Sequence, residues 1–413
     1  MQRFEDVVIL MPQNFDKIKC LYPGTLNFDA VFSAKAFLPF CDEVILFLSS
    51  LSKELLQSPV AKTHPDIVTF AFWCRKSSLL KMKAEHEGEC LRLGRGVVFH
   101  VTPSNVPVNF AYSLAAGLLA GNANIVRVPT KEYPQVEIVC AAIREVLEDT
   151  ELCSLANHVA LVRYERDSDL TAYLSRNADV RIVWGGDAAI NEIRQAPLPP
   201  RALDLTFADR YSLCVINADE YVVSRDHEQI AQGFYNDTYL FDQNACTAPH
   251  LIVWLGTIDN VTDAKERFWG TLHEIVKEKY DLMPIWAVDK YTAVCDLAIQ
   301  QSAGVQLMTM PDNLIVRVEI SSIPHNVEEY RGKAGYFLEY TALALDEIVG
   351  SISRKYQTLS YFGLQPNILR DFIVKHRPSG IDRIVPIGRT MDFSLVWDGY
   401  DLIYALSRVC SVA

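Results

Sequence analysis

The sequence predicts an α/β protein built from two Rossmann-like lobes with mostly parallel sheets. Two lobes are expected because 413 residues exceed what one hydrophobic core organises. Parallel sheet is expected because short apolar runs bounded by Gly, Pro or Asn alternate with longer helix-like stretches. An open sheet of this kind takes its ligand at the carboxyl ends of its strands.

The elements follow in chain order. Gly96-Val97-Val98-Phe99-His100-Val101 has the continuous apolar run of a strand buried on both faces. Pro103 to Pro107 is a loop, and Phe110 to Ala120, small and apolar nearly all round, reads as a core helix. Asn124-Ile125-Val126-Arg127-Val128 is the next strand. The helix Tyr133 to Asp149 follows, with Val136, Val139, Ile143 and Val146 at helical spacing. The strand Val159 to Val162, the helix Ser168 to Ser175, the strand Val180 to Trp184 and the helix Ala188 to Gln195 continue the alternation. Pro197-Leu198-Pro199-Pro200 is the clearest punctuation, and Ser212-Leu213-Cys214-Val215-Ile216 opens the second lobe. From about Ser351 onward the chain is rich in aromatics and turns, and periodicity does not place it.

Composition narrows the function. Half the residues are hydrophobic and 22% charged, an ordinary globular balance. A net charge of −12 with no long basic run argues against nucleic acid as a partner. The ten cysteines form no C-x-x-C pair and no close Cys/His cluster, so no metal site is expected. Met1-Gln2-Arg3-Phe4-Glu5-Asp6 has no basic leader ahead of an apolar stretch, so no secretory signal is expected. The most apolar helix-like stretch, Phe110 to Gly121, is about twelve residues long, too short to cross a bilayer. Together these features point to a cytoplasmic protein with reduced thiols and no integral membrane segment.

Three segments carry chemistry. Gly185-Gly186-Asp187 joins the strand ending at Trp184 to a helix. Glycines there let backbone approach a phosphate, and the helix start offers free N–H groups. Read without a ligand, the same segment is a glycine turn with Asp187 as N-cap. No G-x-G-x-x-G occurs, so the common dinucleotide fingerprint does not apply. Arg127, at a strand end, suits a ribose or phosphate, or is a surface charge. Cys246 lies in Asp242-Gln243-Asn244-Ala245-Cys246-Thr247-Ala248-Pro249, small and amide residues just before the apolar run Leu251 to Trp254. That setting reads as a tight turn presenting sulfur to a pocket. His250 and His227 are near in sequence, and nothing else ties them to Cys246.

Read in order, these segments resemble the aldehyde dehydrogenase superfamily. Pro103-Ser104-Asn105-Val106-Pro107 resembles its Pro-Trp-Asn-Phe-Pro loop, with Ser104 and Val106 in place of the aromatics. Ala120-Gly121-Asn122 and the strand bearing Arg127 are similar to its Ala-Gly-Asn and lysine-bearing strand. Trp184-Gly185-Gly186-Asp187 stands where its Thr-Gly-Ser cofactor turn would be, and Gln243 to Ala248 resembles its nucleophile segment. A finer likeness is to the long-chain acyl-CoA (fatty-acyl) reductases of the LuxC family. It rests on Asn122-Ala123-Asn124-Ile125-Val126, Phe207-Ala208-Asp209-Arg210-Tyr211-Ser212 and Gln357 to Gly363. The closing Arg383 to Gly388 and Asp392 to Asp401 add to it.

The resemblance implies an aldehyde dehydrogenase-like fold and a division into three parts. These are an N-terminal segment with the cofactor-binding domain (1–210), a catalytic domain (211–350) and a C-terminal segment (351–413). The last would return to the cofactor domain or to an oligomer interface. It further implies that Cys246 takes an acyl group as a thioester, with the Asn105 amide and the Cys246 N–H stabilising the oxyanion. Arg127, Thr130, Lys131, Trp184, Gly185, Gly186 and Glu339 would bind the nicotinamide cofactor. Glu339 would hold the nicotinamide ribose, although Thr341 stands where the family has Phe.

Two departures bear on the reaction. Leu205-Thr206-Phe207-Ala208 has no carboxylate where aldehyde dehydrogenases carry the glutamate that activates water, which favours reduction over hydrolysis. Thr130 and Lys131 replace a glutamate that repels a 2′-phosphate, which favours NADPH, with NADH as the alternative. The expected activity is NADPH-dependent reduction of an acyl-CoA or acyl-protein to the aldehyde. A partner acyl-protein synthetase or ligase and a homo-oligomer are also implied. Two readings stay open beside it: an oxidative aldehyde dehydrogenase, and a non-catalytic partner of an acyl-transferring ligase.

Overall fold

The computed structural model describes residues 18–25, 27–88, 90–166, 168–300, 305–309 and 312–412. Met1 to Asp6, on which the absence of a leader was read, lie outside them. The chain forms two units, 1–208 with 400–413 and 209–399. The first break falls close to the expected one. The C-terminal segment differs: 351–399 stays with the second unit, and only 400–413 joins the first. No helix among the described residues is long and apolar enough to cross a membrane.

In the first unit the strands are β1 (Lys19–Tyr22), β2 (Arg92–Gly94), β3 (Val97–Val101), β4 (Ala123–Arg127), β5 (Val159–Arg163), β6 (Val180–Trp184) and β7 (Leu203–Phe207). Six of them make one sheet in the order β1-β5-β4-β3-β6-β7. All neighbours are parallel except β1, which runs antiparallel to β5 at the edge. Every residue of β3 and β5 is buried, as their mostly apolar runs require in a sheet covered on both faces. The chain leaves β3 toward β4 and β5 and returns on its other side for β6 and β7. That reversal opens a crevice at the carboxyl ends of β3 and β6.

The helix Asn109–Leu119 covers this sheet closely because it is built of small residues. Beneath it runs a buried polar chain. The Trp184 indole N–H donates to Ser113 Oγ (3.0 Å), which lies 2.8 Å from His100 Nδ1. His100 Nε2 lies 2.9 Å from Asn124 Oδ1, and the Asn124 amide donates to the Asn122 carbonyl (2.8 Å). Each group is satisfied if the Ser113 hydroxyl donates to Nδ1 and His100 carries its proton on Nε2. Burial pushes His100 down to about 4, so the ring stays neutral. Asn122, fully buried, accepts from the N–H groups of Arg95 and Gly96 and donates to the carbonyls of Gly117 and Leu406. The Asn-Ala-Asn motif is thus structural, stitching strand, helix and chain end together.

Gly117 is the tightest point. A Cβ there would lie 1.9 Å from Asn124 Oδ1. Gly117→Ala gains up to about 1 kcal/mol of helix propensity. It also overpacks a site whose neighbours are held by several hydrogen bonds, a change that costs about 1–3 kcal/mol. The clash is expected to win. Urea unfolding should show a net loss, and an unchanged midpoint would refute the packing described.

The second unit carries β8 (Tyr211–Asn217), β9 (Pro249–Leu255), β10 (Val305–Thr309), β11 (Val316–Ile320), β12 (Tyr336–Ala342), β13 (Tyr356–Phe362) and β14 (Arg383–Pro386). Their order is β10-β11-β12-β9-β8-β13-β14, parallel except for the edge strand β10. One face of the sheet packs around Leu213, Val253 and Leu338. The other packs around Trp254, Phe268 and Trp269. β13 and β14 come from the tail that periodicity did not place.

Candidate active site

The crevice of the first unit is a cleft of about 1070 Å³. Asn105, Arg127, Thr130, Trp184, Gly185 and Gly186 all line it, so six of the expected site residues converge there. Each follows a strand: Asn105 comes after β3, Arg127 ends β4, and the glycines come after β6. Thr102 anchors the Asn105 loop, its hydroxyl donating to the Arg127 carbonyl at 2.8 Å. Trp184 lies flat on Phe207, with ring centroids 3.7 Å apart. A Cβ on Gly186 would meet nothing within 4 Å, so backbone lies open to the cleft. The helix that follows, Asp187–Ile193, has Gly186 as its N-cap in place of Asp187.

Two basic residues sit differently from expectation. The Arg127 guanidinium donates to the Tyr164 carbonyl (3.3 and 3.2 Å) and lies over the Tyr164 ring. Lys131 is not among the cleft's lining residues; its ammonium lies 4.8 Å from the Tyr133 ring centre. Arg166 and Arg176, which the sequence did not single out, do line the cleft. Glu165, Asp169 and Glu192 line it too, so the open glycine backbone at Gly186, rather than net positive charge, is what fits a dinucleotide phosphate.

Cys246 stands in the second unit at the amino ends of the strands, the reverse of the usual arrangement in open α/β sheets. Asp242 and Gln243 both have left-handed backbone (φ 53° and 61°), a conformation costly for residues other than glycine. It persists because Gln243 is clamped. Its side-chain oxygen accepts from the N–H groups of Gly335 and Tyr336 (both 3.1 Å). Its amide donates to the carbonyls of Pro249 (3.0 Å) and Tyr336 (2.8 Å). Asp242 accepts from the Tyr280 hydroxyl (2.8 Å) and, through its carbonyl, from the Ala334 N–H (2.9 Å).

Residues from several of the segments on which the reductase likeness rests, among them Ser212, Gln357, Thr358 and Asp398, gather around this turn. Ser212 Oγ donates to the Cys246 carbonyl (2.6 Å) and accepts from the Thr358 N–H (3.2 Å). The Arg210 side chain reaches the Lys355 and Tyr356 carbonyls and Asp382. Gln357 pairs with Asp398, and Thr247 Oγ1 donates to Met391 Sδ at 3.4 Å. Cys246 exposes surface to solvent, yet protein crowds its sulfur. Burial pushes the thiol above its ordinary value. Asp398 and Asp209 add to the rise, while the Arg210 N–H and Arg331 oppose it.

The histidines are not bases for this thiol. His250 is buried and stacked on Tyr211, and burial pushes it down to about 3. His227 packs edge-on against Tyr221.

Glu339, expected at a ribose, is a core residue. It is fully buried, and its Oε1 accepts from both the Trp254 (2.8 Å) and Trp269 (2.7 Å) indoles. Its Oε2 accepts from Arg317 at 2.8 and 2.7 Å. Both oxygens are saturated by protein donors, which leaves none for a sugar hydroxyl.

A family model described as acyl-CoA reductase (LuxC) matches residues 71–301, more than half of the chain. The chain is 26% identical over 163 residues to the long-chain acyl-protein thioester reductase of Aliivibrio fischeri, covering 39% of this chain and 32% of that protein. It is 23% identical over 313 residues to the long-chain acyl-protein thioester reductase of Vibrio harveyi, covering 73% and 61%. In both, the matched part spans less than two thirds of the relative's own length. Among solved structures, aldehyde dehydrogenase 21 from Physcomitrella patens matches with a TM-score of 0.67 at 12% identity, covering 92% of this chain and 88% of that one. The NAD-dependent benzaldehyde dehydrogenase from Corynebacterium glutamicum gives 0.62 at 14%, covering 97% and 95%. These structural matches bear on the fold, and the family match runs from residue 71 in the first unit to residue 301 in the second. The chain is a member of the acyl-CoA reductase (LuxC) family, carried on an aldehyde dehydrogenase-like fold.

Proposed function

We propose that this protein reduces a fatty acyl thioester to the aldehyde with NADPH, through an acyl-enzyme on Cys246. The observation that carries the reading is the Cys246 turn. Cys246 follows the left-handed pair Asp242 and Gln243, which the Gln243 side chain clamps, at the entry to β9. Strain of that kind persists where a side chain must be aimed. In this reading the thiolate attacks the thioester carbonyl, the sulfur–carbon bond to Cys246 forms, and the donor thiol leaves. The bound dinucleotide supplies the hydride. Collapse of the resulting hemithioacetal releases the aldehyde and returns the Cys246 thiolate.

Reduction is favoured over hydrolysis because the nearest carboxylate to the missing glutamate is engaged. Asp204 holds Arg181 at 3.0 and 2.7 Å. NADPH is favoured because Thr130 stands at the end of β4 in the cleft, where Arg166 and Arg176 share the lining with Glu165, Asp169 and Glu192. The relatives named above as acyl-protein thioester reductases support an acyl group delivered on protein, with CoA as the small-molecule equivalent. A ligase that loads that protein would be the partner.

The test supplies acyl-CoAs of graded chain length, and an acylated carrier protein, with NADPH or NADH while cofactor oxidation is followed. Turnover is expected, with kcat/KM roughly tenfold higher for NADPH, the worth of one charge contact. No oxidation with any donor would refute the proposal. Faster oxidation of aldehydes than reduction of acyl donors would replace it with the oxidative reading.

A further inference from the structure

We infer that the Trp184 indole is the surface on which a planar ring of the dinucleotide stacks, and that Ser113, braced by His100, is the positioning residue that holds it there. The inference rests on the cleft being the dinucleotide site and adds where a ring of the ligand lies. Among the described residues that line the cleft, Trp184 alone is aromatic. It is half-buried and comes directly before Gly185 and Gly186. A ring stacked on it and a phosphate at the open glycine backbone can therefore belong to one ligand. Phe207 backs the indole with the two planes 10° apart, and Tyr400 meets Phe207 edge-on at 5.7 Å. A flat aromatic surface already packed on one side suits a nicotinamide or an adenine, each a planar heterocycle.

Stacking alone lets the indole slide and tilt on Phe207. The Ser113 hydroxyl stops this by accepting from the indole N–H at 3.0 Å. A serine hydroxyl can rotate, and His100 removes that freedom. Its Nδ1 lies 2.8 Å from Ser113 Oγ, and with the ring proton on Nε2 it accepts the serine hydroxyl, which leaves the serine lone pairs for Trp184. His100 is fixed in turn, because Nε2 meets Asn124 Oδ1 at 2.9 Å and the Asn124 amide donates to the Asn122 carbonyl. Ser113, His100 and Asn124 are all buried, so water does not compete for these bonds. Burial also keeps the His100 ring neutral at ordinary pH, so the arrangement does not titrate there. The indole is thus ordered before the ligand arrives, and binding loses less entropy.

The test titrates NADP⁺ and NAD⁺ by calorimetry into wild type, Trp184→Leu, Trp184→Phe, Ser113→Ala and the double variant Ser113→Ala with Trp184→Phe. Trp184→Leu should lose about tenfold or more in affinity, what one stacked base contributes. Trp184→Phe keeps a ring and lacks the N–H; Ser113→Ala keeps the N–H and lacks its acceptor. Each should lose about fivefold, what one hydrogen bond contributes. Both changes break the same bond, so the double variant should also lose about fivefold and not the product of the two. Losses that multiply, or full affinity in Trp184→Leu, would overturn the inference. Trp184→Leu decides the stacking even if Ser113→Ala does not fold. Emission from Trp184, taken as wild type minus Trp184→Phe, should be quenched by NADP⁺. Quenching by 2′,5′-ADP as well assigns the adenine to the indole, and quenching by NADP⁺ alone assigns the nicotinamide; quenching by neither also overturns the inference. Failure of wild type to bind either dinucleotide is a different result, and it would overturn the reading of the cleft itself.

Discussion

Cys246→Ala is expected to abolish acyl-enzyme formation and to lower acyl-dependent cofactor oxidation by about four orders of magnitude or more. Losing a covalent nucleophile removes the step that every later one depends on, and losses on the order of a millionfold accompany such deletions in other enzymes. The same change should cost only about 1 kcal/mol of stability, because it removes a single sulfur from a residue that keeps exposed surface. The contrast between lost chemistry and retained fold is the diagnostic. Incubation with an acyl-CoA in the absence of cofactor should add one acyl group to wild type, located on the Cys246 peptide, and none to the variant. Cys90 and Cys295 are also exposed, so the peptide assignment matters. Acylation of the variant at either residue, with turnover retained, would move the nucleophile away from Cys246.

The fold was readable where burial is continuous. β3, β5 and β6 were placed within a residue or two because a strand covered on both faces must be apolar throughout. β13 was not placed because Gln357, Thr358 and Ser360 interrupt its apolar run, although all three are buried. Of their side chains, Gln357 pairs with Asp398 near Cys246, while Ser360 Oγ donates to the Leu213 carbonyl at 3.4 Å. The cleft residues were readable because each follows a strand in a βα unit, where position in the sequence predicts position in space.

Around Cys246 that local rule fails. Arg331 meets Asp209 across more than a hundred residues, and no spacing announces it. One signal was present: Asp209, Arg210 and Ser212 belonged to a motif already set apart, and Ser212 bonds the Cys246 carbonyl while Asp209 pairs with Arg331. Asn122 and Asn124 were in such a motif too, and theirs is a packing task. A motif marks constraint without saying whether the constraint is chemical or mechanical.

Glu339 is where that distinction has the largest expected consequence for stability. A ribose-binding glutamate, changed to alanine, would raise the cofactor KM and leave the melting temperature nearly unmoved. The geometry requires the opposite. Removing Glu339 strands the Arg317 guanidinium, whose side chain is 12% exposed, and leaves two buried indole N–H groups unpaired. Breaking one side of a buried ion pair costs about 3–5 kcal/mol. For a unit of this size each kcal/mol moves the melting temperature by about 2–4 °C, so a drop on the order of 10 °C is expected. Arg317 also lies 5.0 Å from the Trp269 ring centre, so its displacement would disturb the aromatic core behind it. A compensating change separates the causes. Arg317→Met added to Glu339→Leu removes both charges and should restore part of the lost stability, because two apolar side chains of similar volume need no partners. If the single variant instead melts like wild type and only its cofactor KM rises, Glu339 is the ribose ligand that the family resemblance implied. Were the double variant no more stable than the single, the two indole hydrogen bonds, and not the ion pair, would be the groups that hold this face of the sheet together.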